Sequence, residues 1–270
     1  MVVRAAGRGG VGVYDRTMDL PVDAVRLALA TRLVDEAARI TVLTGAGIST
    51  DSGIPDFRGP NGLWTRDPEA EKASDIRFYV ADRAVRVRNW ARRAAGELWA
   101  DREPNDGHRA LVRLEVRDKL DLLITQNVDG LHLKAGSSPG RLVEIHGNTR
   151  RAMCLSCDWR DDIEVVLDRV RAGEEDPPCP VCGGILKSAT ISFGQSLVAE
   201  DLERAQVAAA TCDLFLAVGT SLAVYPIAHT VKVALRNGAR VIIVNGEPTP
   251  YDDDADVVLH SSISVALPAV

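Results

Sequence analysis

Two Cys-x2-Cys pairs stand near one another in the second half of the chain. Cys154 and Cys157 form the first pair, and Cys179 and Cys182 form the second after 21 intervening residues. Each pair can place two thiolates on one ion, and two pairs at this separation are typical of tetrahedral zinc. Four sulfur ligands close the coordination sphere, so the sequence predicts one structural Zn²⁺ per chain. Unliganded core cysteines and a redox Cys-x2-Cys are the alternatives, and Cys212 is expected to be an ordinary core residue.

Small and polar residues follow several short apolar runs of the chain. They are Gly45, Ala46 and Gly47 after the first run, Gln126, Asn127 and Asp129 after the second, Gly219, Thr220 and Ser221 after the third, and Asn245 and Gly246 after the fourth. Because the carboxyl ends of parallel strands meet at one edge of a sheet, these residues are predicted to line one ligand crevice. A single turn needs no ligand to explain it, whereas four such ends together favour a binding site.

The glycine loop only partly matches the general dinucleotide-binding fingerprint. Thr50 stands where the third glycine would, and no acidic residue ends a second strand about 20 positions further on. On these grounds alone NAD binding is weakly indicated. The longer stretch from Gly45 to Arg58, however, closely resembles the first signature of the sirtuin (Sir2) family of NAD-dependent protein deacylases.

The resemblance to bacterial sirtuins continues in order along most of the chain. Residues 125–132 and 144–147 resemble the second and third signatures, and the four cysteines fall where the family has its zinc ribbon. Phe193 and Gly194 resemble the substrate strand, while 219–222 and 244–245 resemble the late NAD motifs. The resemblance implies an NAD-dependent protein-lysine deacylase, foremost a deacetylase, with NAD as co-substrate and an acyl-lysine protein or peptide as partner.

The family reaction implies roles for three residues of the second and third signatures. The acyl oxygen attacks the ribose carbon that bears nicotinamide, nicotinamide leaves, and an alkylimidate forms. A histidine then acts as general base on a ribose hydroxyl, which carries the acyl group away. His146 is implied to be that base, which suits a side chain with a near-neutral pKa. Asn127 and Asp129 are implied to hold the nicotinamide ribose and carboxamide, although Asp129 could instead cap the following helix.

The other site residues also follow from the resemblance. Phe57 would shield the reacting carbon, Arg58 would position phosphate and ribose, and Gly45 and Gly47 would approach the pyrophosphate. Gly219, Ser221 and Asn245 are implied at the adenosine end, and Ala46, Asp56, Gln126, Thr220 and Gly246 are further implied NAD contacts. Ile191, Phe193 and Gly194 are implied to bind the substrate, whose backbone would add a strand to this edge.

Two departures from the family pattern concern the substrate. Thr190 and Gln195 stand where the family commonly has valine and glutamate, which leaves the preferred peptide sequence open. Asn89 and Arg92 align with the Tyr-x-x-Arg pair of desuccinylating members, so acetyl or another uncharged acyl group is favoured. The arginine cluster around them is more simply a solvated helix face than an anion site.

Three other functions compete with deacylation. An ADP-ribosyltransferase or NAD hydrolase could use the same site, and an NAD-binding regulator with weak catalysis is a second alternative. A zinc hydrolase fails, because four thiolates leave no open position for water.

The candidate site residues need a parallel sheet to position them. Apolar runs at 40–43, 120–124, 214–218, 241–244 and, more weakly, 257–259 are predicted strands. Val25, Leu29 and Leu33 recur at helical spacing, and a second helix should follow Pro226. The pattern predicts an α/β fold with a doubly wound, Rossmann-like parallel sheet and a smaller lobe made of a zinc ribbon and helices.

The chain is predicted to consist of a tail, one NAD-binding domain and a smaller lobe. Residues 1–18 are predicted to be a flexible tail, 19–60, 106–149 and 189–270 the NAD-binding domain, and 61–105 and 150–188 the helical and zinc-ribbon insertions of the smaller lobe. The net charge of −6 speaks against nucleic-acid binding. Without a long apolar run or a secretory signal, we expect a cytoplasmic protein that does not enter a membrane. The oligomeric state stays open.

Overall fold

The computed structural model describes residues 22–57, 59, 62–67, 71–72, 74–96 and 101–270. The predicted tail at 1–18 and the predicted NAD contact Arg58 lie outside these residues.

A six-stranded parallel sheet forms the centre of the molecule. Its strands are β1 (Ile40–Thr44), β2 (Leu120–Thr125), β3 (Leu142–Glu144), β7 (Leu214–Val218), β8 (Arg240–Val244) and β9 (Val257–Leu259). Their spatial order is β3-β2-β1-β7-β8-β9, and every neighbouring pair is parallel. The strand order therefore reverses direction between β1 and β7, as in a doubly wound sheet. All five predicted apolar runs lie in this sheet, which confirms the predicted fold.

A three-stranded antiparallel sheet forms the second layer of the chain. Its strands are β4 (Gly147–Cys154), β5 (Arg160–Asp162) and β6 (Leu186–Thr190), in the order β5-β4-β6. This sheet carries the four cysteines at or near its strand ends. It begins only two residues after β3 ends, so the chain passes directly from the parallel sheet into the antiparallel one.

Helices cover both faces of the parallel sheet and form part of the smaller layer. They are α1 (Val22–Glu36), α2 (Leu63–Arg66), α3 (Ile76–Ala81), α4 (Arg83–Ala94), α5 (Asp106–Val116), α6 (Leu131–Ala135), α7 (Ile163–Arg171), α8 (Ala199–Thr211), α9 (His229–Arg236) and α10 (Ile263–Ala269). Residues of α1, α5 and α10 pack on one face of the sheet, and residues of α8 and α9 pack on the other. No helix in the described ranges is long and apolar enough to cross a membrane.

The buried side of α1 differs from the predicted one. Leu33 is buried and Leu29 packs against the core, but Val25 is 55% exposed, and Ala30 and Val34 make further core contacts that the pattern did not include. Small alanines let the helix approach the sheet closely, and a pattern judged by the larger apolar residues misses such a contact. Cys212 is buried in the core, as predicted.

A third apolar cluster joins the helical insertion to the cysteine region. Trp90 of α4 is fully buried against Val166 and Leu167 of α7, together with Cys154 and Cys179. Two stretches that lie about 65 residues apart in the sequence thus share one small core.

Candidate functional site

A cavity of about 1380 Å³ opens where the strand order of the parallel sheet reverses. Fifteen of the residues predicted from the sequence line it: Gly45, Ala46, Gly47, Asp56, Phe57, Gln126, Asn127, His146, Ile191, Phe193, Gly194, Gly219, Thr220, Ser221 and Asn245. Asp129 and Gly246 do not line the cavity. The carboxyl ends of β1, β2, β7 and β8 therefore contribute to one crevice, which is where ligands bind in open α/β sheets.

The glycine loop after β1 lies directly against the loop after β7. The Gly47 amide donates to the Gly219 carbonyl at 2.9 Å. A Cβ on Gly47 would lie 2.7 Å from the Gly219 Cα, and one on Gly45 would lie 2.7 Å from the Gly219 carbonyl oxygen. Glycine is thus required here by the contact between the two loops, in addition to the predicted approach of a pyrophosphate.

The Asn127 side chain is held so that its oxygen is left for a ligand. Its Nδ2 donates to the Gly45 carbonyl at 3.1 Å and to Ser49 Oγ at 3.2 Å. No donor among the described residues bonds its Oδ1, although the residue is only 6% exposed. The neighbouring Gln126 donates from Nε2 to Thr220 Oγ1 at 2.9 Å, which joins β2 to the loop after β7.

Asp129 acts on the site through Ser49. Its Oδ2 accepts from Ser49 Oγ at 2.8 Å, and its Oδ1 accepts from the Leu131 amide at 2.9 Å, just before α6. The second bond satisfies the first amide of α6, but the N-cap of that helix is Gly130, so Asp129 is not the helix cap considered from the sequence. Burial raises the pKa of the Asp129 carboxyl. Ser49 bonds both Asp129 and Asn127, so the carboxylate orients the amide without itself facing the cavity.

The His146 ring is fixed in one tautomer. Its Nδ1 lies 3.1 Å from the Gln126 carbonyl oxygen, which can only accept, so Nδ1 carries the proton. Nε2 consequently keeps its lone pair, and the ring lines the cavity. Burial lowers the pKa of His146, more than the hydrogen bond to Gln126 raises it, so the ring is neutral at physiological pH. A neutral imidazole with a free Nε2 is suited to act as a general base.

The strand segment after β6 forms the wall next to His146. The Ile191 amide donates to the His146 carbonyl at 2.7 Å, and Phe193 exchanges backbone hydrogen bonds with Ser74 and Ile76. The Phe193 ring lies 5.5 Å from Trp64. The ring centroids of Trp64 and Phe57 are 4.8 Å apart. Three aromatic rings therefore connect the segment after the glycine loop with this wall.

The far end of the cavity lies at the end of β8. Asn245 donates from Nδ2 to the Glu247 carbonyl at 2.6 Å, and its own carbonyl accepts from His260 Nδ1 at 2.9 Å. These bonds fix the loop after β8 beside the Ser221 end of the cavity. A cleft with close backbone approach at one end and amide, hydroxyl and imidazole groups at the other fits an extended dinucleotide such as NAD.

The four cysteines of the two Cys-x2-Cys pairs form one cluster. Their Sγ atoms all lie within 4.8 Å of one another, with Cys154 and Cys182 at 3.5 Å and Cys157 and Cys179 at 3.7 Å. Sulfur atoms at tetrahedral positions 2.3 Å from one zinc ion would be separated by about 3.8 Å. The cluster therefore fits a structural Zn²⁺ with four thiolate ligands. It is separate from the cavity, none of whose lining residues is a cysteine.

Sequence reasoning assigned no role to three polar residues of the site. Ser49 lies within the first signature, and Lys187 lies three residues before Thr190 of the predicted substrate strand, but a single sequence does not show which of these residues bond one another. His108 is buried, with its ring 4.9 Å from that of His132, and it lies 3.5 Å from Ser49 Oγ. Burial lowers the pKa of His108 to about 4, so this ring is neutral as well.

Comparison with known proteins identifies the family. The model of the Sir2 family matches residues 45–226. NAD-dependent protein deacetylase 2 of Streptomyces coelicolor is 50% identical over 232 residues, covering 86% of this chain and 95% of that protein. NAD-dependent protein deacetylase 1 of Bradyrhizobium diazoefficiens is 42% identical over 238 residues, covering 87% and 91%.

A solved Sir2 structure has the same fold over most of its length. It is described as a histidine-to-alanine variant with a deacetylated p53 peptide and 3'-O-acetyl ADP-ribose. It superposes with a TM-score of 0.82 at 31% identity, covering 90% of this chain and 96% of that one. With the family model and the relatives, this shows that the chain belongs to the Sir2 family.

Proposed function

We infer that the protein is an NAD-dependent protein-lysine deacylase, acting foremost on acetyl-lysine, which transfers the acyl group to ADP-ribose and releases nicotinamide. The observation that carries this conclusion is the neutral His146 with its free Nε2. Its ring lines a cavity that is also lined by the glycine-containing loops after β1 and β7 and by the segment after β6. The relatives named as deacetylases, and the Sir2 structure with an acetyl ADP-ribose, support the same activity.

Bound NAD would supply the electrophilic ribose carbon to which the acyl oxygen adds. In the proposed mechanism, Nε2 of His146 removes the proton of a ribose hydroxyl, while the Gln126 carbonyl stabilises the proton already on Nδ1. Asn127 Oδ1 accepts from the nicotinamide half of NAD, and Ser49 with Asp129 keeps the amide oriented. The ring of Phe57 excludes water from the reacting carbon, supported by Trp64.

The remaining assignments of the site stay as proposed from the sequence. Gly45, Ala46, Gly47, Asp56, Arg58, Gln126, Gly219, Thr220, Ser221 and Asn245 contact NAD, and Ile191, Phe193 and Gly194 contact the acyl-peptide. Gly246 does not line the cavity itself, and it is kept as a proposed NAD contact because it lies between the lining residues Asn245 and Glu247. Residues 61–105 and 150–188 form a smaller lobe on the NAD-binding domain made by 19–60, 106–149 and 189–270. Support for this division comes from the shared core around Trp90.

Zinc has a structural role in this proposal. The thiolate cluster fills four coordination positions and leaves none for water, so the metal stabilises the smaller lobe and takes no part in the reaction. Free thiols suited to a metal require a reducing compartment, and we therefore propose a cytoplasmic location.

The test is incubation of the pure protein with NAD and acetyl-lysine peptide, followed by mass spectrometry of nicotinamide and acetyl-ADP-ribose. We expect both products to depend on the peptide and to disappear in His146→Ala. His229→Ala is the matched control, because His229 does not line the cavity, and it should retain activity. Nicotinamide release without peptide would instead indicate an NAD hydrolase or ADP-ribosyltransferase, and no release at all would indicate a regulator.

A further inference from the structure

Lys187 is a buried lysine at the peptide side of the cavity. It is only 2% exposed and lies in β6, near the end of which the proposed substrate segment begins. Its ammonium donates to the Thr190 carbonyl and to Gln195 Oε1, the latter at 3.2 Å. A buried ammonium is costly unless it is paired and hydrogen-bonded, and Lys187 has two neutral oxygen acceptors in place of a carboxylate partner.

The two acceptors of Lys187 belong to the residues that come directly before and directly after the substrate segment 191–194. Backbone bonds to His146 and Ser74 hold the amides of Ile191 and Phe193 on one edge of this segment. The alternate amide, that of Ser192, is held on the other edge by Gln195 Oε1 at 3.0 Å. Lys187 thus bonds the start of the segment and the side chain that holds its middle.

The charges around Lys187 do not compensate its own. The cavity wall carries Arg88, Arg92 and Arg93 on α4, Tyr79 on α3 and His146 before β4, and of these the charge of Arg93 acts on Lys187. None of these is an acid at neutral pH. The cavity also has carboxylates, on Asp56, Asp67 and Glu247, but no carboxylate among the described residues bonds Lys187.

We propose that Lys187 is a positioning residue whose ammonium holds residues 190–195 in the conformation that binds the acyl-peptide. This inference rests on the proposed function and concerns its peptide site. When the ammonium loses its proton, the Thr190 carbonyl and Gln195 lose a charged donor, the segment relaxes, and the peptide binds less tightly. The proposed NAD contacts lie on the loops after β1, β2, β7 and β8, and Lys187 bonds none of them, so NAD binding should be unaffected.

The loss of this proton falls in an accessible pH range. Desolvation, and to a smaller extent the charge of Arg93, lower the pKa of Lys187 to about 8. Gln195 is decisive here, because it is a neutral acceptor at a position where the family commonly has glutamate. A carboxylate in its place would favour the ammonium and keep it charged to higher pH.

The experiment measures KM for acetyl-lysine peptide at saturating NAD from about pH 7 to about pH 10, a range that brackets the lysine titration. We expect KM of the unchanged protein to rise about tenfold across this range, the effect of losing a hydrogen bond to a charged group. Lys187→Met should have the raised KM at every pH. Lys187→Arg keeps its charge and should give a flat, low KM.

Gln195→Glu is the most informative variant, because a glutamate oxygen can still accept from Lys187 and from the Ser192 amide. The rise in KM should move up by about one pH unit or more, with KM for NAD unchanged. Lys134→Met, which removes a surface lysine paired with Glu103, is the control and should behave like the unchanged protein.

Two results would overturn the proposal: the same KM profile for Gln195→Glu and the unchanged protein, or a normal peptide KM in Lys187→Met. If Lys187→Met does not fold, the proposal is still tested by comparing the pH dependence of the peptide KM in Lys187→Arg and Gln195→Glu with that of the unchanged protein. Failure of the proposed function is a different outcome, because the unchanged protein would then make no acetyl-ADP-ribose at any pH.

Discussion

Replacing Asp176 with asparagine is expected to loosen the smaller lobe. Asp176 lies between the two cysteine pairs and bonds Arg86 of α4 with both carboxylate oxygens, at 3.0 and 3.2 Å from Nε. The Arg86 Nη1 donates in turn to the carbonyls of Tyr79 and Val80. One guanidinium therefore joins α3, α4 and the cysteine region.

The expected loss of stability follows from the burial of this pair. The side chains of Arg86 and Asp176 are only 12% and 14% exposed, so solvent screens their attraction little. Removing one partner of a buried pair leaves the other charge uncompensated, which costs about 3 to 5 kcal/mol. Asparagine retains one acceptor for Arg86, so we expect about 3 kcal/mol, at the lower end of that range.

The neighbouring residue provides a matched control. Glu175 pairs with Arg83, but these side chains are 65% and 61% exposed, and Glu175→Gln should cost at most about 0.5 kcal/mol. Urea unfolding followed by tryptophan fluorescence, to which buried Trp90 contributes, with zinc release measured in parallel, compares the two variants. Equal stabilities for Asp176→Asn and Glu175→Gln would refute the reasoning that this pair joins the two insertions.

Three further predictions concern the site and the metal. Burial lowers the pKa of His146 from 6.5 in the free protein and the base must be neutral, so the acid limb of kcat/KM against pH should lie below pH 6.5; a limb above it would contradict the argument that burial keeps this ring neutral. Chelation of the zinc should expose Trp90 and abolish deacylation, and full activity after verified metal loss would exclude a structural role. Gly47→Ala should weaken NAD binding and cost about 1 to 3 kcal/mol of stability, because its Cβ meets backbone, whereas Gly140→Ala, with nothing within 4 Å, should be neutral in calorimetry and NAD titration.

The parallel sheet was predictable because its signals are local. Each of the five predicted runs is a nearly continuous apolar stretch, interrupted only by Thr41 in the first and Asp121 in the second, since strands buried on both faces have little polar surface to show. The carboxyl ends of the first four runs, from Gly45 to Asn245, line one cavity because neighbouring parallel strands end at the same edge. The cysteine cluster was equally local, since each Cys-x2-Cys pair carries its own geometry.

The features that were not predicted depend on contacts between distant residues. β3 has three residues, too few to show any period, and is defined by its pairing with β2. The bond of Ser49 to Asp129 spans 80 residues, and that of Arg86 to Asp176 spans 90. No local pattern indicates either partner, so these bonds become visible only when the folded chain brings its segments together.

The position of His146 explains why a zinc site outside the cavity bears on the reaction. Glu144 ends β3 in the parallel sheet, and Gly147 begins β4 in the antiparallel one, so His146 lies in the connection between the two. Its ring is held by the carbonyl after β2, and its own carbonyl holds Ile191 after β6. The proposed general base is therefore positioned by both sheets at once. We expect that displacing the antiparallel sheet, by loss of zinc for example, alters the distance between His146 and the proposed peptide segment without a direct change to either.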